Sequence, residues 1–395
     1  MRVAIDATVV NFNREGIGNF TLQLLRHLEQ TEHSGIEYIL FVHPSFREEH
    51  RELSDQYELA EIPVFQGFAS GIRTALKIRG KKRALGVDLF ISTHSHLVSL
   101  VVNPNFWLVH DISPIVHPEY FNIDISRVKN QLLRYNFKRA IEKTKQILTT
   151  SEFNRREITK NYYAAAGKIR VIGAGPASWV ESSTTAVKQR KALAKMQVVE
   201  GQYLLFIGTL SPRKNIERLL IAYTRYLEQH PNSKLDLVIA GKKGWEYDSI
   251  FKTLAELEQN HEQLNLDERI KFTGFVEDED MNALARNCKA LIYPPLYEGF
   301  GMPPLEALLL GKEVILSSIP VLREHYSGFA HFFPPRSSTK LAEQIENVAN
   351  GRKQNSALKQ EKLQEKFAWE RVAKQLNDAI VAYAKDNWGI VPSDN

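Results

Sequence analysis

The 395-residue sequence predicts an α/β protein made of two parallel-sheet domains. Three observations carry this expectation. Short β-type runs alternate with helical patterns along the chain, as parallel strands joined by crossover helices require. The alternation runs through twice, interrupted at residues 176 to 188 (PASWVESSTTAVK), a Pro/Ser/Thr segment that reads as a linker. The length is long for one domain and natural for two.

Hydrophobic content of 43% and charged content of 25% are ordinary globular values. The one cysteine, Cys288, excludes an internal disulfide framework and falls in an apolar helical stretch, which reads as core rather than nucleophile. The N-terminal MRVAIDATVV is a strand pattern, not a signal peptide. No apolar run approaches the roughly 18 residues that a spanning helix needs. A soluble, cytoplasmic protein is the expectation. Residues 1 to 180 carry 23 Lys and Arg against 18 Asp and Glu, whereas residues 181 to 395 carry 28 of each. The net charge of +5 therefore belongs to the first half, which points there to an acidic partner, a phosphorylated acceptor or an anionic membrane surface.

In chain order, Arg2 to Thr8 is the first strand. A loop ending in Gly16-Ile17-Gly18-Asn19 leads to a helix with Phe20, Leu24, Leu25 and Leu28 on one face. A Gly-x-Gly at such a turn either lets backbone approach a ligand or makes a tight turn. The segment Gly71 to Arg83 carries Arg73, Lys77, Arg79, Lys81, Lys82 and Arg83, with Ile72, Leu76 and Ile78 interleaved. It reads either as a solvated basic face or as a membrane-surface segment, which Arg127, Lys129, Arg134, Lys138 and Arg139 would extend. No nucleic-acid-binding motif accompanies this charge. Strands at Asp88 to Ser92 and Phe106 to Val109 end in histidine-bearing loops, with His94 and His96, then His110 and Asp111. A metal site from these four is the weaker reading, since no cysteine joins them. Ser151 reads as the cap of a helix that includes Asn154.

The second half opens near Gly201 with a strand at Tyr203 to Ile207. Arg213 and Lys214 then precede a helix from about Ile216 to Gln229. Cations are unfavourable at a helix N-terminus, so two adjacent ones suggest an anion in front of them. Leu235 to Ala240 is a strand ending at the loop Gly241-Lys242-Lys243-Gly244, and Ile270 to Thr273 is another, leading into Gly274-Phe275-Val276. Asp278-x-Asp280 reads as a charged helix start rather than a metal pair. The chain is organised around residues 290 to 311, ALIYPPLYEGFGMPPLEALLLG. Ala290 to Tyr293 ends a buried strand. Pro303-Pro304 opens a helix that stops at Gly311, because proline suits a first helical turn and glycine a stop. The amides of Gly299 to Met302 then point off the helix start, a ready anion site. Glu298 and Glu306 frame it; each has a plainer reading, Glu298 as a loop acid and Glu306 as a first-turn residue offsetting the helix dipole.

The string YEGFGMPPLEA resembles the signature of the retaining glycosyltransferases of family 4, and GTLSPRKN and HDISPIVHPEYF are similar to other strings of that family. The resemblance covers nearly the whole chain and is tightest over residues 203 to 324. It implies the GT-B fold: Rossmann-like domains at residues 1–180 (acceptor side) and 181–370 (nucleotide-sugar donor side) facing a central cleft. A C-terminal helix at 371–395 would return to the first domain. It implies that Glu298 holds the donor sugar hydroxyls, Glu306 the ribose, and Arg213 and Lys214 the diphosphate. The amides of Phe300, Gly301 and Met302 would face sugar and phosphate. Gly16, Gly18 and Gly241 would lie on donor-side loops, Phe275 and Val276 at the base, and His110 near the reacting carbon. No metal or other cofactor is expected. Three places depart from the family pattern: Pro295, Glu313, and Gly173-Ala174-Gly175-Pro176. The expected activity is metal-independent, retaining transfer of a sugar from a nucleoside diphosphate to a hydroxyl of a growing, lipid-linked or cell-surface glycan. It would run in the cytoplasm, peripherally at the inner face of the membrane. The alternatives are a non-catalytic relative that stabilises another transferase, and a sugar phosphorylase, whose cofactor-lysine signature the sequence lacks.

Overall fold

The computed structural model describes residues 1–11, 16–28, 35–63, 70–93, 105–120, 127–182 and 184–389. The chain divides into two compact units. One comprises Met1–Ile115, Ile125–Gly175 and Phe367–Asn395; the other comprises Val116–Asp124 and Pro176–Lys366.

The first unit is a parallel sheet of seven strands: β1 (Arg2–Asp6), β2 (Glu37–Val42), β3 (Glu58–Glu61), β4 (Leu89–Ser92), β5 (Asn105–Val109), β6 (Gln146–Thr149) and β7 (Ile169–Val171). They lie in the order β3-β2-β1-β4-β5-β6-β7. All of β4 and β5 is buried, as continuous apolar strands covered on both faces should be. One core beneath the sheet joins Ala4, Ile39, Phe41 and Phe90 to Ile78 of the helix Ser70–Ala84. The last helix, Trp369–Trp388, belongs to this unit: Trp369 meets Phe20 edge-on at 5.1 Å, and Tyr383 meets Phe106 at 5.4 Å. Within the departure at residues 173–176, Gly175 has a packing reason: a Cβ on it would sit 2.5 Å from Trp369 Nε1.

The second unit is a parallel sheet of six: β8 (Tyr203–Ile207), β9 (Asp236–Ala240), β10 (Ile270–Gly274), β11 (Ala290–Tyr293), β12 (Glu313–Ser317) and β13 (His331–Phe333). Their order is β10-β9-β8-β11-β12-β13, the arrangement of the first sheet less one strand. Ala177, Trp179 and Val180, from the segment read as a linker, are buried in this unit's core with Leu205, Val238 and Leu284. Cys288 is in the same core, and burial pushes its thiol up to about 12, so it is packing rather than a nucleophile. In each sheet the winding direction changes next to the first strand, between β1 and β4 and between β8 and β11. Loops leaving the C-terminal ends of strands at such a switch point diverge and leave a crevice, where open α/β sheets bind ligands.

Candidate functional site

In the second unit β8 and β11 pair with Ala290 opposite Leu204, so the loops that leave them emerge side by side. The β8 loop ends in a short turn, Pro212–Lys214, followed by Asn215 at φ +59°. Asparagine tolerates that left-handed conformation better than most residues. Its Nδ2 donates to the carbonyls of Pro294 and Pro335, both at 2.9 Å, which ties the β8 loop to the β11 loop. The left-handed residue turns the chain before the helix Ile216–Gln229 begins, so Arg213 and Lys214 precede that helix instead of standing in its first turn. The anion they meet in the structure is the chain's own Glu298, not an external one. Arg213 Nη1 is 2.8 Å from Glu298 Oε2, and Lys214 Nζ is 2.7 Å from Oε1. Lys214 also donates to the Tyr293 hydroxyl at 2.6 Å, and Arg213 Nη1 to the Tyr297 carbonyl at 3.2 Å. Burial alone would raise the pKa of Glu298; the charges of Arg213 and Lys214 outweigh it and hold the carboxyl below its ordinary value. Two cations thus converge on one buried carboxylate.

The following helix is Met302–Leu309, with both prolines in its first turn. Gly301 caps it at φ +87°, and a Cβ there would lie 2.6 Å from Leu322 Cδ2. Glycine is therefore required twice over, by conformation and by space. The Tyr326 hydroxyl donates to the Gly301 carbonyl at 2.7 Å. Phe300 is buried against the His325 ring at 4.4 Å, and burial followed by the nearby Lys366 charge lowers the His325 pKa to about 3. Met302 is half-buried as the first helical residue. Glu306 lies past the first turn, not within it. It is 4% exposed, and its Oε1 accepts the Ala177 amide at 3.3 Å. Burial, against that one amide and with Asp278 nearby, raises its pKa to about 8. The dipole-offsetting role considered from sequence thus gives way to a buried carboxyl whose pKa is raised by its burial.

Gly241 has a packing reason: a Cβ on it would fall 2.0 Å from the Gly208 carbonyl oxygen. Gly241 N donates to Gly274 O and Leu210 N to Lys242 O, both at 2.9 Å, closing the β8, β9 and β10 loops on one another. Phe275 is exposed, whereas the Val276 side chain is in the core, leaving only its backbone for a ligand. Asp278 opens a helix, Asp278–Asn287, in which Asp280 pairs with Lys195 at 2.6 Å, the charged helix start expected. Glu313, a departure from the family pattern, holds His331 at 3.0 Å and accepts the amides of Gln354 and Asn355.

In the first unit, Gly16 adopts φ +55° and its carbonyl accepts the Phe20 amide at 2.9 Å, starting the helix Ile17–Leu28 with Gly18 buried in its first turn. The Phe20 ring meets His110 edge-on at 4.9 Å, so the glycine loop and His110 come together there. Ser151 caps its helix by accepting the Asn154 amide at 3.1 Å, and Asn154 Nδ2 donates to the His110 carbonyl at 2.6 Å. Asn154 was read only as part of a helix start; its part in holding the His110 loop needed the fold. His94 and His96 lie outside the described residues. Among the described residues no cluster of three or more His, Cys, Asp or Glu could hold a metal. On the helix Ser70–Ala84, Arg73, Lys77, Arg79, Lys81 and Arg83 are exposed beside exposed Ile72 and Leu76. Lys82 is a correction to the basic surface. It shares the inward face with Ala75 and Ile78, one or two turns away, and burial lowers its pKa to about 8 despite Asp88. Among the described residues no helix is long and apolar enough to cross a membrane.

Two family models divide the chain between them. The glycosyltransferase family 4 model matches residues 14–175, and the glycosyl transferases group 1 model matches residues 189–365. The O-antigen chain mannosyltransferase B of Escherichia coli is 32% identical over 231 residues, which is 56% of this chain and 57% of that protein. The O-antigen chain mannosyltransferase RfbU of Salmonella typhimurium is 26% identical over 277 residues, 70% of this chain and 67% of that protein. The first of these matches thus spans little more than half of the relative's length. Among solved structures, Anabaena Alr3699/HepE in complex with UDP and glucose superposes with a TM-score of 0.73 at 17% identity, over 97% of this chain and all of that one. The sucrose-phosphate synthase of Thermosynechococcus elongatus does so with a TM-score of 0.76 at 16% identity, over 98% of this chain and all of that one. These two likenesses concern the fold.

Proposed function

Because the chain belongs to the glycosyl transferases group 1 family and has its GT-B fold, we propose that it transfers a sugar from a nucleoside diphosphate to a hydroxyl of a growing glycan. The observation that carries this reading is the pair of cations, half-buried Arg213 and buried Lys214, meeting the carboxylate of Glu298 beside the start of the helix Met302–Leu309. The two adjacent cations and the helix-start amides of Phe300, Gly301 and Met302 suit a diphosphate. In the reaction the bond between the anomeric carbon and the diphosphate oxygen breaks, and its electron pair leaves with the phosphate. Arg213 and Lys214 stabilise that developing negative charge, taking the part that a metal plays elsewhere. The acceptor oxygen bonds to the anomeric carbon, and its proton passes to a leaving-phosphate oxygen. Attack on the same face gives retention. Glu298 orients the sugar, Glu306 holds the ribose, and the backbone at Phe275 and Val276 meets the base. Gly16, Gly18 and Gly241 serve as close-approach positions.

Mannose is the proposed sugar, on the names of the two O-antigen relatives. The acceptor is proposed to be lipid-linked, reached from the cytoplasmic membrane face through the exposed cations Arg73, Lys77, Arg79, Lys81 and Arg83 with Ile72 and Leu76. The test is a thermal-shift panel of GDP, UDP, dTDP and ADP with and without EDTA, followed by turnover of the matching nucleotide sugars, GDP-mannose included. One diphosphate raising the melting temperature regardless of EDTA, with turnover of its sugar, is the expected result. Binding to none of them, with no turnover, moves the assignment to a non-catalytic stabiliser of another transferase.

A further inference from the structure

Tyr293 had no place among the residues expected from sequence, yet it holds a charged group of the donor site. It ends β11 and is 1% exposed. Its hydroxyl accepts from Lys214 Nζ at 2.6 Å, and the same ammonium donates to Glu298 Oε1 at 2.7 Å, so the phenol and the carboxylate meet on one cation. The Lys214 ammonium also stands 4.7 Å from the centroid of its ring, and the Phe206 ring stacks on it at 6.3 Å. A Cβ on Gly301 would lie 3.5 Å from Tyr293 Cε1, so the same ring borders the start of the helix Met302–Leu309. Burial first, and then the Glu298 charge, push the phenol far above its ordinary value, and it keeps its proton. A neutral hydroxyl can accept from an ammonium, which no apolar side chain of this size can do.

We propose that Tyr293 is a positioning residue for the transfer described above, and the proposal rests on that donor-site reading. The phenol holds the Lys214 ammonium against the Glu298 carboxylate. When a diphosphate draws the cations, the phenol keeps Lys214 anchored beside Glu298, which stays in place for the sugar. A bulky aromatic that merely filled the core would do as well as phenylalanine, whereas a positioning hydroxyl would not.

Tyr293→Phe separates the two, because it keeps the ring over Lys214 and removes one oxygen. The measurement is steady-state kinetics against pH, with the nucleotide sugar that the wild type turns over, at a temperature well below the melting point of the variant. The expected loss is about 10- to 100-fold in kcat, the scale of one hydrogen bond to a charged group, with donor KM changed less than about threefold. The acid limb of kcat/KM should move to higher pH, since the Lys214 ammonium that favours the charged form of Glu298 is held less firmly. In a Lys214→Ala background the same substitution should cost less, because the two residues act through one network. A Phe variant with wild-type kcat and an unmoved acid limb overturns the proposal alone. So does a loss that multiplies in full with Lys214→Ala. Wild type that turns over no nucleotide sugar overturns the donor-site reading and this proposal with it.

Discussion

Glu298→Gln inverts the usual expectation for a site residue: the nucleotide should bind more tightly while turnover is lost. Glu298 holds Arg213 and Lys214 at 2.8 and 2.7 Å, as an internal anion that competes with a diphosphate for them. Removing one partner from a buried ion pair costs about 3–5 kcal/mol, because the remaining charge is left uncompensated. Glutamine keeps the volume and one acceptor, so the lower end, about 3 kcal/mol, is expected, or roughly 6–12 °C in melting temperature for a unit of this size. A diphosphate then supplies the missing anion. Part of the lost pairing returns on binding, and the dissociation constant of the nucleoside diphosphate should fall by about tenfold, or 1.4 kcal/mol. At 100 times the dissociation constant the ligand adds about 2.7 kcal/mol of stability, which restores most of the deficit. The pH dependence has a definite sign. The Glu298 pKa is depressed in the folded state, so its stabilisation is present above the ordinary carboxylate value of 4.5 and is lost as pH falls through the depressed one. The wild-type and Gln melting curves should therefore converge in acid. Calorimetric titration and thermal unfolding read all of this. A Gln variant that melts with the wild type and binds the diphosphate no more tightly would refute the reasoning.

Other outcomes follow from the same geometry. The Glu306 pKa is raised from 4.5 to about 8, so its contribution is fully present below 4.5 and is lost as pH rises through 8; Glu306→Gln, which keeps the Ala177 bond, should match wild type near pH 4.5 and exceed it by up to about 5 kcal/mol at pH 8, read by denaturant unfolding at both values. Gly241→Ala places a methyl 2.0 Å from the Gly208 carbonyl and should cost about 3 kcal/mol or more, read from the unfolding midpoint; a wild-type midpoint would mean that the loops part easily. Replacing Lys77, Lys81 and Arg83 by Glu, with buried Lys82 left intact, should abolish salt-sensitive sedimentation with anionic vesicles at about 1 kcal/mol per cation. Wild type that never sediments with vesicles sinks the membrane proposal outright.

Much of the fold was legible because its signals are local. Apolar runs such as Tyr203–Ile207 and Ala290–Tyr293, and the amphipathic Ile216–Gln229, can be read within a short window. The helix opened by Pro303 and Pro304, with Gly301 before it and Gly311 after it, was equally plain, since each of those residues has a strong conformational preference. The adjacent cations Arg213 and Lys214 were legible as a place for an anion.

Which anion they meet was not local. Lys214 and Glu298 lie 84 residues apart, and they meet because β8 and β11 are neighbours at the switch point of the sheet. Tyr293 looked like an apolar strand residue; only packing brought its hydroxyl against the ammonium that Glu298 also holds. Lys82 looked like one more surface cation until the helix phase turned it inward, and Glu306 like a dipole-offsetting residue until the body of the second unit closed over it. The sequence by itself determined the alternation of elements, the special backbone positions and the residue types of the site, because periodicity and dihedral preference act between neighbours. Tertiary structure alone decided pairing, burial and protonation, because these depend on distances and desolvation that arise once distant segments share a core.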